Sequence, residues 1–311
     1  MSQRVLVTGA SGFIGSGIIR GLWCKPNIEP ISAHRRANRS NDPTAVRYEL
    51  NEEGDDWDTW LEGIQVLIHT VGCTPSSDVR EARLLERYRK INVYATAELA
   101  KRAAKAGVKR FIYLSSIKVN GEKTSDIPFR SSDTPRFEDF YGQTKYEAEQ
   151  QLWEIAAQTG LEVVIIRPPM VYGPGVKGNF ALLMRAVKNR IPFPFGSVNN
   201  RRSFVALDNL VNLVVTCIDH PYAANQTFLV SDDEALSTKE LLQKLGVAAN
   251  VPVIAFPVPI SLLKALGNSI GKKTLADRLF ENLEVDISHT KTILDWGPPI
   301  SIEEGLKRCF S

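Results

Sequence analysis

Cysteine is scarce and scattered: Cys24, Cys73, Cys217 and Cys309 are the only four in 311 residues. No two stand at zinc-ligand spacing and no disulfide framework is implied, so a reducing, cytoplasmic setting is expected. The four histidines, His34, His69, His220 and His289, are equally dispersed, and no metal is expected. An excess of one charge is also lacking. Thirty-eight Lys and Arg face 35 Asp and Glu, for a net charge of +3. The basic residues are spread out, which excludes a nucleic-acid footprint. Met1-Ser2-Gln3-Arg4 runs straight into a strand, with no signal-peptide core. No apolar run reaches the ~20 residues that span a bilayer. The longest, Val251 to Leu266, is broken by Pro252, Pro257 and Pro259 and carries Lys264. It reads as a strand, a turn and a helix; moderately amphipathic, it has a membrane-surface role as its other reading.

What the chain does have is apolar content, 43% of residues, enough for a full core. Through the first half, strand-like runs alternate with helical patterns. Val5-Leu6-Val7, Ile28 to His34, Val66 to Val71, Arg110 to Ser115 and Val163 to Ile166 read as strands. Phe13 to Trp23, Trp57 to Leu61, Glu81 to Gly107 and Tyr141 to Gly160 read as helices, and Gly107 is placed to end the third. Near-continuous apolar strands alternating with helices predict a doubly wound parallel sheet, helices on both faces, over residues 1–167. After Pro168-Pro169 the rhythm changes to turn-rich stretches and shorter elements, including a helix from Thr238 to Leu245. Residues 168–311 are expected to form a smaller α/β substrate-binding region, some of whose segments can return to the main sheet. Ala37 to Thr44 reads as a mobile loop.

Two motifs carry chemistry. Thr8-Gly9-Ala10-Ser11-Gly12-Phe13-Ile14-Gly15 follows the first strand and opens the first helix, the context a dinucleotide fingerprint requires. Gly9 permits the tight turn, Gly12 lets backbone approach a pyrophosphate, and Gly15 lets helix and sheet pack closely. An acid at the end of the second strand would hold a ribose 2′-hydroxyl. His34-Arg35-Arg36 stand there instead. A guanidinium suits a 2′-phosphate, so NADP is expected over NAD; the other reading is solvated loop charge. The second motif is Tyr141-Gly142-Gln143-Thr144-Lys145. Residues four apart share a helix face. An ammonium there is expected to lower the phenol from its usual pKa of about 10, giving a proton shuttle for alcohol–ketone chemistry.

Together with His69-Thr70-Val71-Gly72, Asn92, Ser115-Ser116, Arg167 to Gly175 and Arg202 to Leu210, these motifs resemble the extended short-chain dehydrogenase/reductase (NAD-dependent epimerase/dehydratase) family over nearly the whole chain. Within it, the chain looks most like bacterial nucleotide-sugar 4-keto reductases and 4-epimerases of surface-polysaccharide pathways. The subgroup making UDP-N-acetylquinovosamine or UDP-N-acetylfucosamine is the nearest in pattern. The resemblance implies catalytic roles for Ser116, Tyr141 and Lys145, with Ser115 the competitor for Ser116. It implies cofactor contacts from Gly9, Ser11, Gly12, Phe13, Ile14, Gly15, His34, Arg35, Arg36, Val71, Gly72, Asn92, Tyr141, Lys145 and Pro168. Substrate contacts are implied for Ser116, Lys118, Tyr141, Asn179 and Arg202, with Arg201 the neighbour that competes for the last role. It also implies a homodimer through the helices Glu81–Ala106 and Tyr141–Ala157. Asn120 departs from the family's Val-Tyr-Gly and is expected to alter the pocket.

Dehydratases of the family carry Asp-Glu after the catalytic Ser or Thr; here Ile117-Lys118 stand there, so elimination is not expected. Reduction or epimerisation at one carbon needs only hydride transfer and one proton shuttle. The missing acid after the second strand leans toward exchangeable NADPH. Reduction of a UDP-4-keto-6-deoxy-N-acetylhexosamine is therefore the first expectation. A UDP-hexose or UDP-N-acetylhexosamine 4-epimerase is the alternative, and a non-catalytic NAD(P)-binding regulator the third.

Overall fold

A computed structural model describes residues 2–34, 46–47, 57–73, 81–269 and 279–311. Seven parallel strands form the main sheet: β1 (Gln3–Thr8), β2 (Ile28–His34), β3 (Val46–Arg47), β4 (Val66–His69), β5 (Arg110–Leu114), β6 (Glu162–Arg167) and β9 (Gln226–Leu229). Their order is β3-β2-β1-β4-β5-β6-β9. The order reverses between β1 and β4, and the crevice at the carboxyl ends there is where a doubly wound sheet takes its ligand. β1, β4 and β5 are almost wholly buried because both faces are covered. One face packs on α1 (Phe13–Trp23), α7 (Leu207–Asp219) and α10 (Ser288–Leu294). The other packs on α2 (Trp57–Leu61), α4 (Ala95–Lys105) and α5 (Phe140–Thr159).

The second unit is a three-stranded sheet, β10 (Ala235–Leu236), β8 (Arg202–Ala206) and β7 (Met170–Tyr172), with α6 (Gly178–Lys188), α8 (Thr238–Ala248) and α11 (Ile302–Arg308) around its own core. After residue 167 the chain crosses between the units more than once, since α7 packs on α1 and β9 pairs with β6. Buried Asp232 joins the crossing points. It accepts from the Tyr172 hydroxyl (2.7 Å), the Ala206 amide (2.8 Å) and Asn209 Nδ2 (2.7 Å). From Val251 to Leu266 the structure has one isolated bridge, Phe193 to Ala255, and then α9 (Ile260–Ser269); the expected strand is absent. Three prolines remove ladder donors and confine the pairing to that bridge.

The long helix read from 81 to 107 is interrupted. α3 (Glu81–Tyr88) passes through a π-helical turn, Arg89–Tyr94, into α4. Gly107 (φ +82°) and Gly160 (φ +77°) take the left-handed conformation after α4 and α5, the geometry that releases a chain from a helix.

Candidate active site

The glycine turn packs so tightly that side chains have no room. At Gly9 (φ +75°) a Cβ would lie 2.6 Å from Thr70 Oγ1, and at Gly15 it would collide with the Gly9 carbonyl oxygen. The Gly12 amide donates to that same oxygen at 2.8 Å. Gly12 caps α1 in extended conformation, so the first amides of the helix, at Phe13, Ile14 and Gly15, face the sheet's carboxyl edge without intrahelical acceptors. Ser11 is exposed at the turn's tip. His34 ends β2, and its Nε2 is buried with no hydrogen-bond partner among the described residues. These features fit a dinucleotide: a close-approach cradle, amides for a pyrophosphate, and a buried polar atom at the adenosine end. Arg35 and Arg36, on which the cofactor preference was read, lie outside the described residues, as does the loop from Ala37 to Thr44.

Ser116, Tyr141 and Lys145 come together from two elements. Ser116 caps the short 3₁₀ turn Ile117–Val119 after β5. Asp139 caps α5 by accepting from the Gly142 amide at 2.7 Å, which places Tyr141 in the helix's first turn. The Ser116 side chain hydrogen-bonds the Tyr141 phenol. Ser115 instead donates to Glu149 Oε1 at 2.5 Å. Lys145 Nζ donates to the Leu114 carbonyl (2.8 Å) and sits 4.5 Å from the centre of the Tyr113 ring. Gly72 borders it: a Cβ there would come within 3.2 Å of Nζ. The π-helical turn aims Asn92 inward, where Oδ1 accepts from the Cys73 amide (2.7 Å) and Nδ2 donates to Thr144 Oγ1 (3.1 Å). Asn92 thereby clamps the segment holding Val71 and Gly72 against α5. Such π-turns occur often at functional sites.

The electrostatics correct one expectation. Tyr141 is raised above the usual phenol range, not lowered. Burial is the main cause and the Asp139 charge the second; the Ser116 hydrogen bond opposes both. The physical reason is desolvation. It acts on Lys145 too, pushing it down to about 7, with only Glu149 opposing. An ammonium that is itself destabilised, and turned toward the Leu114 carbonyl, does little for the phenol. His69, below the same pocket, is lowered to about 3 by burial and by Lys145. It stays a neutral spacer between Thr8 Oγ1 (2.6 Å) and Thr96 Oγ1 (3.1 Å).

A buried network ties these pieces together. Arg167, at the end of β6, gives Nε and Nη2 to Glu149 at 2.9 and 2.5 Å, and Nη1 to Asn120 Oδ1 at 3.0 Å. Asn120 Nδ2 donates to the Arg130 carbonyl at 2.8 Å. The family departure at Asn120 is thus used to join β6 to the turn after Ser116. Sequence reasoning missed Glu149, although the signal was present: Tyr141, Lys145 and Glu149 are spaced by four and share one face. Lys118 is held by Asp139 and Glu122. The Pro168 carbonyl accepts from the Ile117 amide at 3.0 Å. Asn179 and Arg202 stand on the second unit. Asn179 is exposed at the start of α6, and Arg202 donates to the Glu281 carbonyl at 3.0 Å. Its rival Arg201 points outward and pairs with Glu284 at 2.8 Å. A cavity of about 470 Å³ opens beside Tyr141, walled by Leu84, Tyr88, Phe137, Asp139 and Gln143. Among the described residues no three His, Cys, Asp or Glu side chains are grouped to hold a metal, and no helix is long and apolar enough to cross a membrane.

The model of the family described as "NAD dependent epimerase/dehydratase family" matches residues 5–231. The chain belongs to that family. It is an enzyme scaffold of the extended short-chain dehydrogenase/reductase type. A Vibrio cholerae relative, UDP-glucose 4-epimerase, is 46% identical over 310 residues, spanning 99% of this chain and 94% of its own. An Escherichia coli O157:H7 relative, N-acetyl-α-D-glucosaminyl-diphospho-ditrans,octacis-undecaprenol 4-epimerase, is 25% identical over 85% of this chain and 78% of its own. Among solved structures, UDP-glucuronic acid 4-epimerase from Bacillus cereus in complex with NAD superposes with a TM-score of 0.79, at 19% identity, covering 99% of this chain and 97% of that one. That likeness establishes the fold of this family member.

Proposed function

We propose that this chain is a nucleotide-sugar 4-epimerase that acts on a UDP-linked hexose with NAD as its cofactor. The observation that carries the reading is the whole-length, 46% identical relative named a UDP-glucose 4-epimerase, taken with Ser116, Tyr141 and Lys145 gathered at the crevice. It replaces the 4-keto reduction that the sequence put first. NAD, named with the Bacillus cereus structure, replaces the expected NADP. When bound, NAD supplies the hydride acceptor at C4 and, once reduced, the donor.

The chain's own residues supply the rest. Tyr141 takes the proton of the C4 hydroxyl during oxidation and returns it as the alcohol re-forms on the other face. It acts as that base only as the phenolate, so the raised pKa of the bare site requires the phenol to release its own proton to solvent before the oxidation step. Ser116 hydrogen-bonds the C4 oxygen as charge develops there. Lys145, near 7 in the bare site, gains its proton where a ribose hydroxyl can accept from it. Arg202 and Asn179 face the diphosphate and sugar from the second unit. The relatives' names share a hexose on a diphosphate, which makes that moiety the recognised part. The helices α3, α4 and α5 are the surface on which a homodimer forms, and the product feeds polysaccharide synthesis.

The test needs no added cofactor. Purified protein is incubated with UDP-glucose, and the C4 epimer is followed by nuclear magnetic resonance. Its appearance, with NAD released on denaturation, supports the reading. Absence of epimer, together with NADPH oxidation by a UDP-4-keto-6-deoxy sugar, would establish the reductase instead.

A further inference from the structure

The charge of this protein is unevenly placed. Between Glu162 and Asp208 there is no acidic residue, while Arg167, Lys177, Arg185, Lys188, Arg190, Arg201 and Arg202 all fall there. Between Glu240 and Asp277 there is again none, against four lysines. A net charge of +3 therefore conceals two local stretches that are basic without an acid among them.

Part of that unit is also apolar on its outside. Residues 193–196 lie alongside 254–256 in parallel, with the Phe193 amide on the Ile254 carbonyl (2.9 Å) and the Phe256 amide on the Phe193 carbonyl (3.0 Å). Extended backbone alternates its side chains. Val251 and Val253 turn inward onto the second core. Ile254 and Phe256 turn outward, 59% and 44% exposed. Ile191, at the start of the paired segment, is 49% exposed. The turn leading into it is cationic: Arg185, Lys188 and Arg190 are exposed, and among the described residues none is paired with a carboxylate. Arg190 takes the left-handed conformation (φ 56°) that ends α6, a position that glycine usually fills.

We propose that this face, Arg185, Lys188, Arg190, Ile191, Ile254 and Phe256, docks the enzyme on an anionic phospholipid bilayer. Unpaired cations beside protruding apolar side chains match the two layers of a membrane interface, headgroup charge outside and acyl boundary beneath. A second copy of the chain is disfavoured as occupant, because a two-fold contact would bring the same cationic patch of both copies together. A soluble anionic nucleotide accounts for the cations but leaves Ile254 and Phe256 unexplained. The inference is independent of which sugar the active site takes.

The test is co-sedimentation of the full chain with vesicles of phosphatidylcholine, alone or with about 30% phosphatidylglycerol, at about 0.05 M and about 0.5 M salt. The protein is expected to bind only the anionic vesicles and to be released by salt. Ile254→Asn with Phe256→Ser, and separately Arg185→Glu with Lys188→Glu, are each expected to weaken binding by about tenfold, with turnover and melting temperature unchanged. Three results overturn it: no binding to anionic vesicles at low salt, wild-type binding by the apolar pair, or a larger species in solution that the apolar pair dissociates. A rise in KM for the nucleotide sugar in the charge pair, without vesicle binding by the wild type, assigns the cations to substrate and also overturns it.

Discussion

Glu149→Gln is the perturbation that reads the site's internal scaffold. The Arg167 and Glu149 side chains are 6% and 1% exposed, and the carboxylate accepts from Ser115, Arg167 Nε and Arg167 Nη2. Glutamine keeps the volume and removes the charge, which leaves a permanently charged guanidinium buried without a counter-ion. Breaking such a pair costs about 3–5 kcal/mol, a large share of the roughly 5–15 kcal/mol that holds a protein folded. The melting temperature should fall by roughly 5–8 °C. Glu149→Leu with Arg167→Met removes both charges and should recover part of that loss, since an apolar pair of similar volume replaces a desolvated ion pair.

Turnover should not recover with it. In the double variant Ser115 loses the Glu149 carboxylate and Asn120 loses the Arg167 guanidinium, and these flank Ser116 on either side. Lys145 also loses the carboxylate that opposes its desolvation, so its pKa falls further below about 7. The groups around that ammonium are His69, Tyr113, Tyr141 and Glu149, and only Glu149 is an anion. The alkaline limb of the turnover profile should therefore move to lower pH, with NAD content unchanged. Calorimetry, bound-NAD content and a pH–rate profile of the three proteins decide it. A Gln variant that melts within about 2 °C of wild type would falsify the buried-pair argument. A double variant with wild-type turnover and pH profile would show the network to be packing alone.

Tyr141→Phe keeps the ring that packs edge-on against Tyr88 (6.5 Å between centres) and removes the shuttle, so epimer formation should fall by about 10²–10⁴-fold while NAD remains bound; near-full activity would sink the proposed mechanism. Ser116→Ala should be milder, because a hydrogen bond and not the proton is lost. Lys145→Met tests the burial argument through stability. The folded pKa, about 7, lies below the unfolded 10.5, so the native lysine destabilises most below pH 7, and that cost disappears as pH rises toward 10.5. The Met variant should therefore gain melting temperature over wild type at pH 6 and lose that advantage toward pH 10; an equal difference at both pH values would count against it. Gly15→Ala drives a methyl into the Gly9 carbonyl, and the purified protein should arrive depleted of NAD; full occupancy measured after denaturation would refute the cradle.

The features legible in the sequence were those set by local spacing. Tyr141 and Lys145 share a helix face because four residues make about one turn. The close packing expected at Gly9 and Gly15 is present, because the turn after β1 leaves no space for a Cβ. Gly107 and Gly160 end their helices because few other residues accept positive φ. What the sequence hid depends on contacts between distant segments. Nothing local to Gln226–Leu229 says that it joins the main sheet; that follows from its pairing with β6. The π-helical turn at Asn92 is likewise invisible to a helical period. The direction of the Tyr141 shift was missed for the same reason. Spacing identifies which charge is near the phenol, but burial decides how much that charge is worth. Here burial weakens the lysine and raises the phenol together. On the proposed mechanism, a motif of two residues specifies the participants of proton transfer, while the walls around it, Glu149, Asp139 and Ser116, shift the pH at which they would act.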